Sequence, residues 1–244
     1  MFGSVGLQNP LGLVRVCMLL ERELSSKGLY ISQSTDFKLL NETRLKVRGE
    51  PVGAMHDHRL CDFTGERAFW MGLHDENGNT VGLQAYRLDY VETSLADWLP
   101  NYMIGVYMRR NEVMIPSHPS PPRGSISERL RGKLVYVGEL WLDKQIKGRN
   151  AFDIFTRLGL FMTAIKWNPD AIWGLASEQM ARHGHLGRIG FTILERGVLR
   201  WTWASDGIDP IEYLCAIEKA SIEQLVNEML SSTSGSGQLL LAGE

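Results

Sequence analysis

The sequence predicts an α/β (α+β) fold, and three features carry that expectation. Leu134–Leu142 is an apolar strand that runs through a short basic, glycine-containing turn into a helix starting at Asn150. Ala68–Leu88 reads as a β-hairpin, and residues 11–24 and 210–230 set apolar side chains at helical spacing. At 244 residues the chain is long enough for a sizeable core, in one large domain or two small ones.

From the N-terminus, Leu11, Val14, Met18 and Leu19 stand in a polar remainder, an amphipathic helix suited to packing on the domain or on a second subunit as a homodimer contact. Arg15 interrupts its apolar patch and Glu21, Arg22 and Glu23 follow at once, so the segment is too short and too charged for a membrane span. It also lacks a clear cleavage site. A second helix is expected over Asp36–Val47. Residues 55–66 are polar and irregular. Within them His56-x-His58, with Asp57 and Asp62 nearby, has ligand-capable side chains, but no second cluster of metal spacing accompanies it. A solvated polar loop is expected there, and no metal. The hairpin turns at Asn77-Gly78, which supplies the positive φ angles of a tight turn.

Residues 95–110 contain Trp98, Leu99, Tyr102, Met103, Val106 and Tyr107, and read equally as a helix or as a broken aromatic segment. Residues 114–128 are dense in Pro and Ser, with few backbone donors and no apolar period, which predicts a loop. Its length and its place just before the central strand suit a cover over an active site.

The strand Leu134–Leu142 has apolar residues on both alternating faces, as in a strand buried from both sides. Glu139 is the exception, because a carboxylate there needs a partner or a wet cleft. By parity it shares a face with Val135, Val137, Trp141 and Asp143. Asn150 is a good N-cap for the following helix, Asp153 complements the helix dipole, and Phe152, Phe155, Leu158, Met162 and Ile165 recur at helical spacing. Gln145 to Ala151 then present free backbone N–H groups flanked by Lys144, Lys147 and Arg149, a turn able to hold an anion. The alternative is a surface turn capped by Asn150 with solvated Lys and Arg. Ala171–Ala176 is the next strand, Glu178–His185 a short helix, and Thr192–Glu195 and Val198–Trp203 are further strands. After Asp209-Pro210, one helix is expected to residue 230, then a flexible Ser/Gly linker at 231–237 and a frayed tail.

Composition narrows the function classes. Hydrophobic content of 44% and charged content of 22% are ordinary for a globular protein, and a formal charge of -2 gives no support for wholesale nucleic-acid binding. Cys17, Cys61 and Cys215 lie far apart and form no Cys-x-x-Cys pattern, so neither a disulfide framework nor a zinc ribbon is indicated and a reducing cytoplasm is the simplest home.

Gln145-Ile-Lys-Gly148-Arg-Asn150-Ala151 resembles the Gln/Arg-x-x-Gly-x-Gly/Ala signature of the GNAT acyltransferases, and Gly190-Phe191 resembles the Gly-Phe that closes a later helix in that family. With the hairpin in its matching place, the resemblance covers roughly residues 35–203, by layout more than by identity. It implies a mixed central sheet of about six to seven strands flanked by helices, with extra N- and C-terminal helices. The divisions are then an N-terminal helical extension at 1–34, the GNAT-like domain at 35–208, a C-terminal helix at 209–230 and a tail at 231–244. It further implies an acyl-CoA or acyl-carrier-protein thioester held by Leu140, Leu142, Gln145, Ile146, Lys147, Gly148, Arg149, Asn150 and Ala151. A small-molecule amine would attack the thioester directly.

In that resemblance Glu139 is the general base, its pKa raised by the apolar wall of Trp141, with Asp143 a second candidate. The other reading of Glu139 is a carboxylate bound by Arg or by backbone amides. Splaying of its strand from the next, near Trp173–Ala176, would free amides to polarise the thioester carbonyl. The sequence departs from the family at Asn150, normally Gly or Ala, and at Leu186, which replaces a general-acid Tyr; His185, and beside it His183, are the nearest substitutes. Asp62-Phe, Gly82-Leu-Gln-Ala-Tyr-Arg87-Leu88 and Gly138-Glu139-Leu are similar to the homoserine-lactone and N-acyl amino acid synthases, which use long-chain acyl carrier protein. Seven Trp and ten Met residues suit an acyl-chain pocket or an ordinary core alike. The rival is a non-catalytic GNAT-like binding or regulatory module.

Overall fold

The computed structural model describes residues 7–117, 121, 123–146, 150–206 and 208–236. Its strands are β1 (Tyr30–Ser34), β2 (Ala68–His74), β3 (Thr80–Val91), β4 (Ile115–Pro116), β5 (Gly132–Leu142), β6 (Ala171–Ala176), β7 (Ile193–Trp203) and β8 (Ile211–Glu218). They form one eight-stranded sheet in the order β1-β2-β3-β5-β6-β8-β7-β4, more strands than the six to seven expected. Every neighbouring pair is antiparallel except β5 with β6, which is parallel. The helices are α1 (Pro10–Ser25), α2 (Phe37–Arg48), α3 (Leu95–Met108), α4 (Ala151–Trp167), α5 (Glu178–Arg182), α6 (His185–Ile189) and α7 (Lys219–Ser236).

Alternation along the central strands sorts the core into two layers. Val135, Val137, Cys215 and Ile217 face a cluster built by Leu13, Val16 and Leu20 of α1, Phe155 and Phe161 of α4, and Ile222 and Val226 of α7. Leu134, Tyr136, Leu214 and Ala216 point the other way, into the aromatic and aliphatic side chains of α3. α2 closes the remaining end of that second face through Phe37 and Leu40, against Trp70 and Leu83. Asp36 caps α2 by accepting from the Lys38 and Leu39 amides at 2.9 and 3.0 Å, while its carbonyl accepts from Trp70 Nε1 at 2.8 Å. Helix and sheet are thereby pinned at the one residue. Residues 95–110, open between two readings in the sequence, form the helix α3.

Four expectations are corrected. Pro210–Leu230 is not one helix: Ile211–Glu218 is an inner strand between β6 and β7, and α7 begins only at Lys219. Leu214, Cys215, Ala216 and Ile217 are all buried, because the strand is covered on both faces, and such a run carries no period of its own. Ser231–Ser236, expected as linker, continues α7, and residues 237–244 lie outside the described residues. The two strands expected between 192 and 203 are one strand with a break at Gly197, whose φ of +80° suits glycine. The helix expected over Glu178–His185 ends at Arg182, and after His183 and Gly184 a second short helix runs from His185 to Ile189.

The expected cover at 114–128 is held elsewhere in its described parts. Ile115–Pro116 pairs with β7, and the Glu195 carboxylate accepts from the Ile126 amide and from Ser125 Oγ at 2.9 and 2.5 Å, so the segment is tied to the far edge of the sheet. Residues 118–120 and 122 lie outside the described residues. Among the described residues no helix is long and apolar enough to cross a membrane.

Glu212 of β8 gives the fold a pH dependence with a definite sign. Its buried carboxylate accepts one hydrogen bond from Trp201 Nε1 at 2.8 Å, and burial pushes its pKa from 4.5 up to about 7. The folded state therefore binds this proton more tightly than the unfolded state, so the stabilisation is full below pH 4.5 and is lost as pH rises through 7. A shift of this size corresponds to roughly 3 kcal/mol. Glu212→Gln, which keeps an acceptor for Trp201, is expected to flatten the melting temperature between pH 5 and 8; an unchanged pH slope would refute the assignment.

Candidate active site

The parallel pair β5–β6 is bonded only from Leu134–Ala171 to Tyr136–Trp173, and beyond that point the two strands part. Gly174 sits in the crotch, where a Cβ would lie 3.0 Å from the Val137 carbonyl oxygen. The resulting cleft of about 200 Å³ is lined on one side by Tyr136 to Leu140, on the other by Gly174 to Ala176, with Met180, Leu186 and Cys215 completing an apolar wall. Arg44 and Arg48 of α2 stand at its polar end. This is the splaying that the sequence resemblance implies.

A β-bulge sets Glu139. Opposite β3, Ala85 pairs with Gly138 and Leu83 with Trp141, so β5 carries one residue too many, and Glu139 takes a left-handed φ of +58°. The side-chain alternation changes phase there. Val135 and Val137 face the α4 layer, but after the bulge it is Leu140 and Leu142 that do so, and Glu139 turns to α2. Glu139 therefore does not share a face with Val135 and Val137.

Its carboxylate is fully engaged. Oε2 meets Arg44 Nη1, Oε1 accepts from the Gly53 amide at 2.9 Å, and Oε1 lies 3.7 Å from His56 Nδ1. Burial works against the charged form of both ionisable partners. At His56 burial prevails and the imidazole is held below its ordinary pKa. At Glu139 burial is outweighed by His56, the Arg44 guanidinium and the Gly53 amide, and the carboxyl is held below its ordinary value, not raised as a Trp141 wall would do. The structure thus contains the Arg-and-amide-bound carboxylate and the cleft position together.

His56 and Asp57 correct the reading of residues 55–66 as a solvated loop. Ala54–His56 is a 3₁₀ turn, and both His56 and Asp57 are buried. The His56 ring stacks on Tyr136 at 5.1 Å, Tyr136 packs on Trp173 at 4.8 Å, and Arg87 lies over Tyr136 at 5.5 Å and Tyr102 at 4.7 Å. Arg87 is itself buried, bonded through Nε and Nη2 to Asp89 and through Nη1 to the Met55 carbonyl at 2.5 Å, which fixes the turn that carries His56. Among the described residues no group of three or more His, Cys, Asp and Glu is arranged to hold a metal ion.

Gly138 makes room for this packing: a Cβ there would meet His56 Cε1 at 2.8 Å and Tyr136 Cε1 at 3.2 Å. Both rings are wedged in the core. Gly138→Ala is expected to cost about 1–3 kcal/mol, read as a fall in urea midpoint at constant m-value; a midpoint shift under a few tenths of a molar would show the rings to be free to move.

The other candidates are dispersed. Asp143 is half-buried; its carboxylate accepts from the Gln145 amide at 2.8 Å and its own amide donates to the Val81 carbonyl, so it shapes the turn. Gln145 is exposed, and Ile146 and Ala151 are buried in the main core. Lys147, Gly148 and Arg149 lie outside the described residues. Asn150 occupies the N-cap position of α4 but has a left-handed φ of +51° and makes no side-chain capping bond, contrary to expectation; its carbonyl accepts from Ile154. His185 packs edge-on to Phe152 and meets Arg188, and neither His185 nor His183 is among the residues lining the cleft. Leu186, where the resemblance implies Tyr, does line it.

Sequence reasoning missed Arg44, Gly53 and Arg87 and assigned His56 to solvent. The available signal was the charge itself: Arg87, Asp89 and Glu139 interrupt strands otherwise fit for burial, and each such group demands a partner.

Solved structures with which the chain aligns include acyltransferases. The structure of FeeM, an N-acyl amino acid synthase from uncultured soil microbes, shares 14% identity over 82% of this chain and 98% of its own, with a TM-score of 0.43. An acetyltransferase of the GNAT family from Streptococcus pneumoniae shares 9% identity over 78% and 99%, with a TM-score of 0.45. Arabidopsis thaliana NAA60, solved in complex with acetyl-CoA, shares 12% over 78% and 98%, with a TM-score of 0.45. No protein-family model matches the chain, and no characterised protein matches it by sequence.

Proposed function

We propose that this protein is an N-acyltransferase that moves an acyl group from a coenzyme A or carrier-protein thioester to an amine by direct attack. The observation that supports this most is the fork between the parallel strands β5 and β6, with a buried carboxylate at its polar end and an apolar wall opposite. Parted strands leave backbone N–H groups without ladder partners, suited to a thioester carbonyl that gains negative charge during attack. Leu140 and the turn from Gln145 to Ala151 are the donor-binding residues in this reading.

In the reaction the acceptor ammonium gives a proton to the Glu139 carboxylate, the neutral amine forms the N–C bond, and the C–S bond breaks. The departing thiolate takes the proton released from the new amide nitrogen. No acyl-enzyme is formed. The cleft of about 200 Å³ falls below the roughly 300–1,000 Å³ usual for ligand pockets, which favours a short acyl group over a long chain.

The test is thiol release from acetyl-, butyryl- and octanoyl-CoA, and from the matching acyl carrier proteins, in the presence of a pooled amine panel, with the melting temperature measured alongside. Amine-dependent thiol release and a coenzyme A-dependent rise in melting temperature are expected. Absence of both would leave the non-catalytic module as the better reading.

A further inference from the structure

We infer that Ser32 is a nucleophile activated by His74, at a site on the sheet edge separate from the cleft, and that it takes the acyl group from activated esters. The inference is independent of the acyl-transfer reading and goes beyond it.

Ser32 Oγ lies 2.7 Å from His74 Nε2, and Thr80 Oγ1 lies 3.4 Å from Nδ1 of the same ring. Two features of the strands build this row. Gly72 stands opposite Ser32 in the register, and a Cβ there would meet His74 Nε2 and Ser32 Oγ, each at 2.9 Å. A side chain at that position would push the imidazole off the hydroxyl. The second feature is a bulge: Leu73 pairs with Gly82 but His74 with Thr80, so β3 carries Val81 as an extra residue and Thr80 is brought level with the ring. β1 is an edge strand, and Ser32 and His74 are both half-buried, held by their neighbours yet open to a reagent. The row stands apart from the cleft. Ser32, Gly72, Leu83 and Trp141 follow one another in register across four strands, which puts Ser32 about 14 Å from Trp141 across the sheet.

The chemistry follows from the ring's two nitrogens. A neutral imidazole with its proton on Nδ1 donates toward Thr80 and leaves Nε2 to accept from the Ser32 hydroxyl. Burial holds His74 below its ordinary pKa against the pull of Asp75, so the ring is neutral at pH 7 and able to take a proton. Asp75 is itself occupied, accepting from the Asn77 amide and from the amide and side chain of Asn79. With no carboxylate on Nδ1, the pair suits esters whose leaving group departs easily. Ser32 Oγ gives its proton to Nε2 as it bonds to the ester carbonyl carbon, and the ester C–O bond breaks with the departing alkoxide taking that proton. Water, deprotonated by the same nitrogen, then attacks the Ser32 ester, releases the acid and restores the hydroxyl.

The probes are 4-nitrophenyl acetate, read as 4-nitrophenolate release, and a fluorophosphonate, which bonds to a serine oxygen with loss of fluoride and is located by peptide mass spectrometry. The wild-type protein is expected to carry one adduct, on Ser32, and Ser32→Ala is expected to lose both the adduct and ester turnover above background. His74→Gln, which keeps a hydrogen-bond partner for Ser32, is expected to lower both rates by about 10²-fold or more with the melting temperature retained. Should that variant fail to fold, the wild-type pH profile decides. A rate set by neutral His74 levels off above its ordinary pKa of 6.5, whereas an unassisted hydroxyl keeps accelerating as pH rises. No adduct on Ser32, labelling spread over other nucleophiles, a rate indifferent to His74→Gln, or a rate without a plateau would each overturn the inference and leave the pair as a bond that pins β1 to β2.

Discussion

Arg87→Ala is expected to destabilise the protein by about 3–5 kcal/mol. The guanidinium is buried with Asp89, donates to the Met55 carbonyl, and lies over the rings of Tyr102 and Tyr136. Truncation leaves the Asp89 carboxylate buried without its cation, the Met55 carbonyl without its donor, and a void between two aromatic rings. The first of these dominates, because an uncompensated charge in the interior costs more than a lost neutral hydrogen bond. The double substitution Arg87→Met with Asp89→Leu removes both charges and restores volume, and is expected to recover most of the loss. Urea denaturation of the three proteins measures this. If Arg87→Ala costs under 1 kcal/mol, or the double variant is no better than the single, the pair is not the closed buried unit described.

The consequence reaches the cleft, since Arg87 holds the Met55 carbonyl beside His56, and His56 abuts Gly138 at the bulge. None of this chain of contact could be read from the sequence, because its links join residues 32 and 95 positions apart, Arg87 to Met55 and Glu139 to Arg44. What could be read was local. The apolar run Leu134–Leu142, the existence of α1, α2 and α4, and the Asn77-Gly78 hairpin each depend on a few neighbouring residues and each appeared in its place, but α1 buries Leu13, Val16, Leu20 and Leu24 and leaves Leu11, Val14 and Met18 of the expected apolar face exposed, and Asn150 makes no capping bond. The strand β8 was lost where local signals mislead: its four consecutive buried residues lead directly into Ile222, Val226 and Met229 of α7, and a helical period fitted through both segments looks continuous. β1, with Tyr30 and Gln33 exposed on an edge of the sheet, had too little apolar content to register as a strand. The bulge at Glu139 is the subtler failure. One inserted residue inverts every later side chain, so the parity argument placed Trp141 correctly with Glu139 but put both on the wrong face relative to Val135.

Glu139→Gln is expected to lower acyl transfer by about 10²–10⁴-fold with donor affinity retained, and to lower stability as well. The two effects need separating, because a carboxylate bound to Arg44 and Gly53 is structural whatever else it does. Glutamine can still accept from the Gly53 amide but leaves Arg44, only 13% exposed, facing a neutral group, which costs about 1–3 kcal/mol. Adding Arg44→Met removes that unpaired cation. The double variant is therefore expected to regain the melting temperature, while kcat stays low because no carboxylate remains to take the proton. A purely structural Glu139 would give the opposite result, with activity returning alongside stability. pH supplies an independent check with a fixed sign. Burial pushes the Glu139 carboxyl up, but His56, Arg44 and the Gly53 amide together hold it below its ordinary value of 4.5. Its stabilisation is then complete above pH 4.5 and disappears as pH falls through the lower folded value. The wild-type protein should lose melting temperature between pH 5 and 3 more steeply than Glu139→Gln. Parallel acid limbs for the two proteins would mean that the carboxylate is not held in this pair.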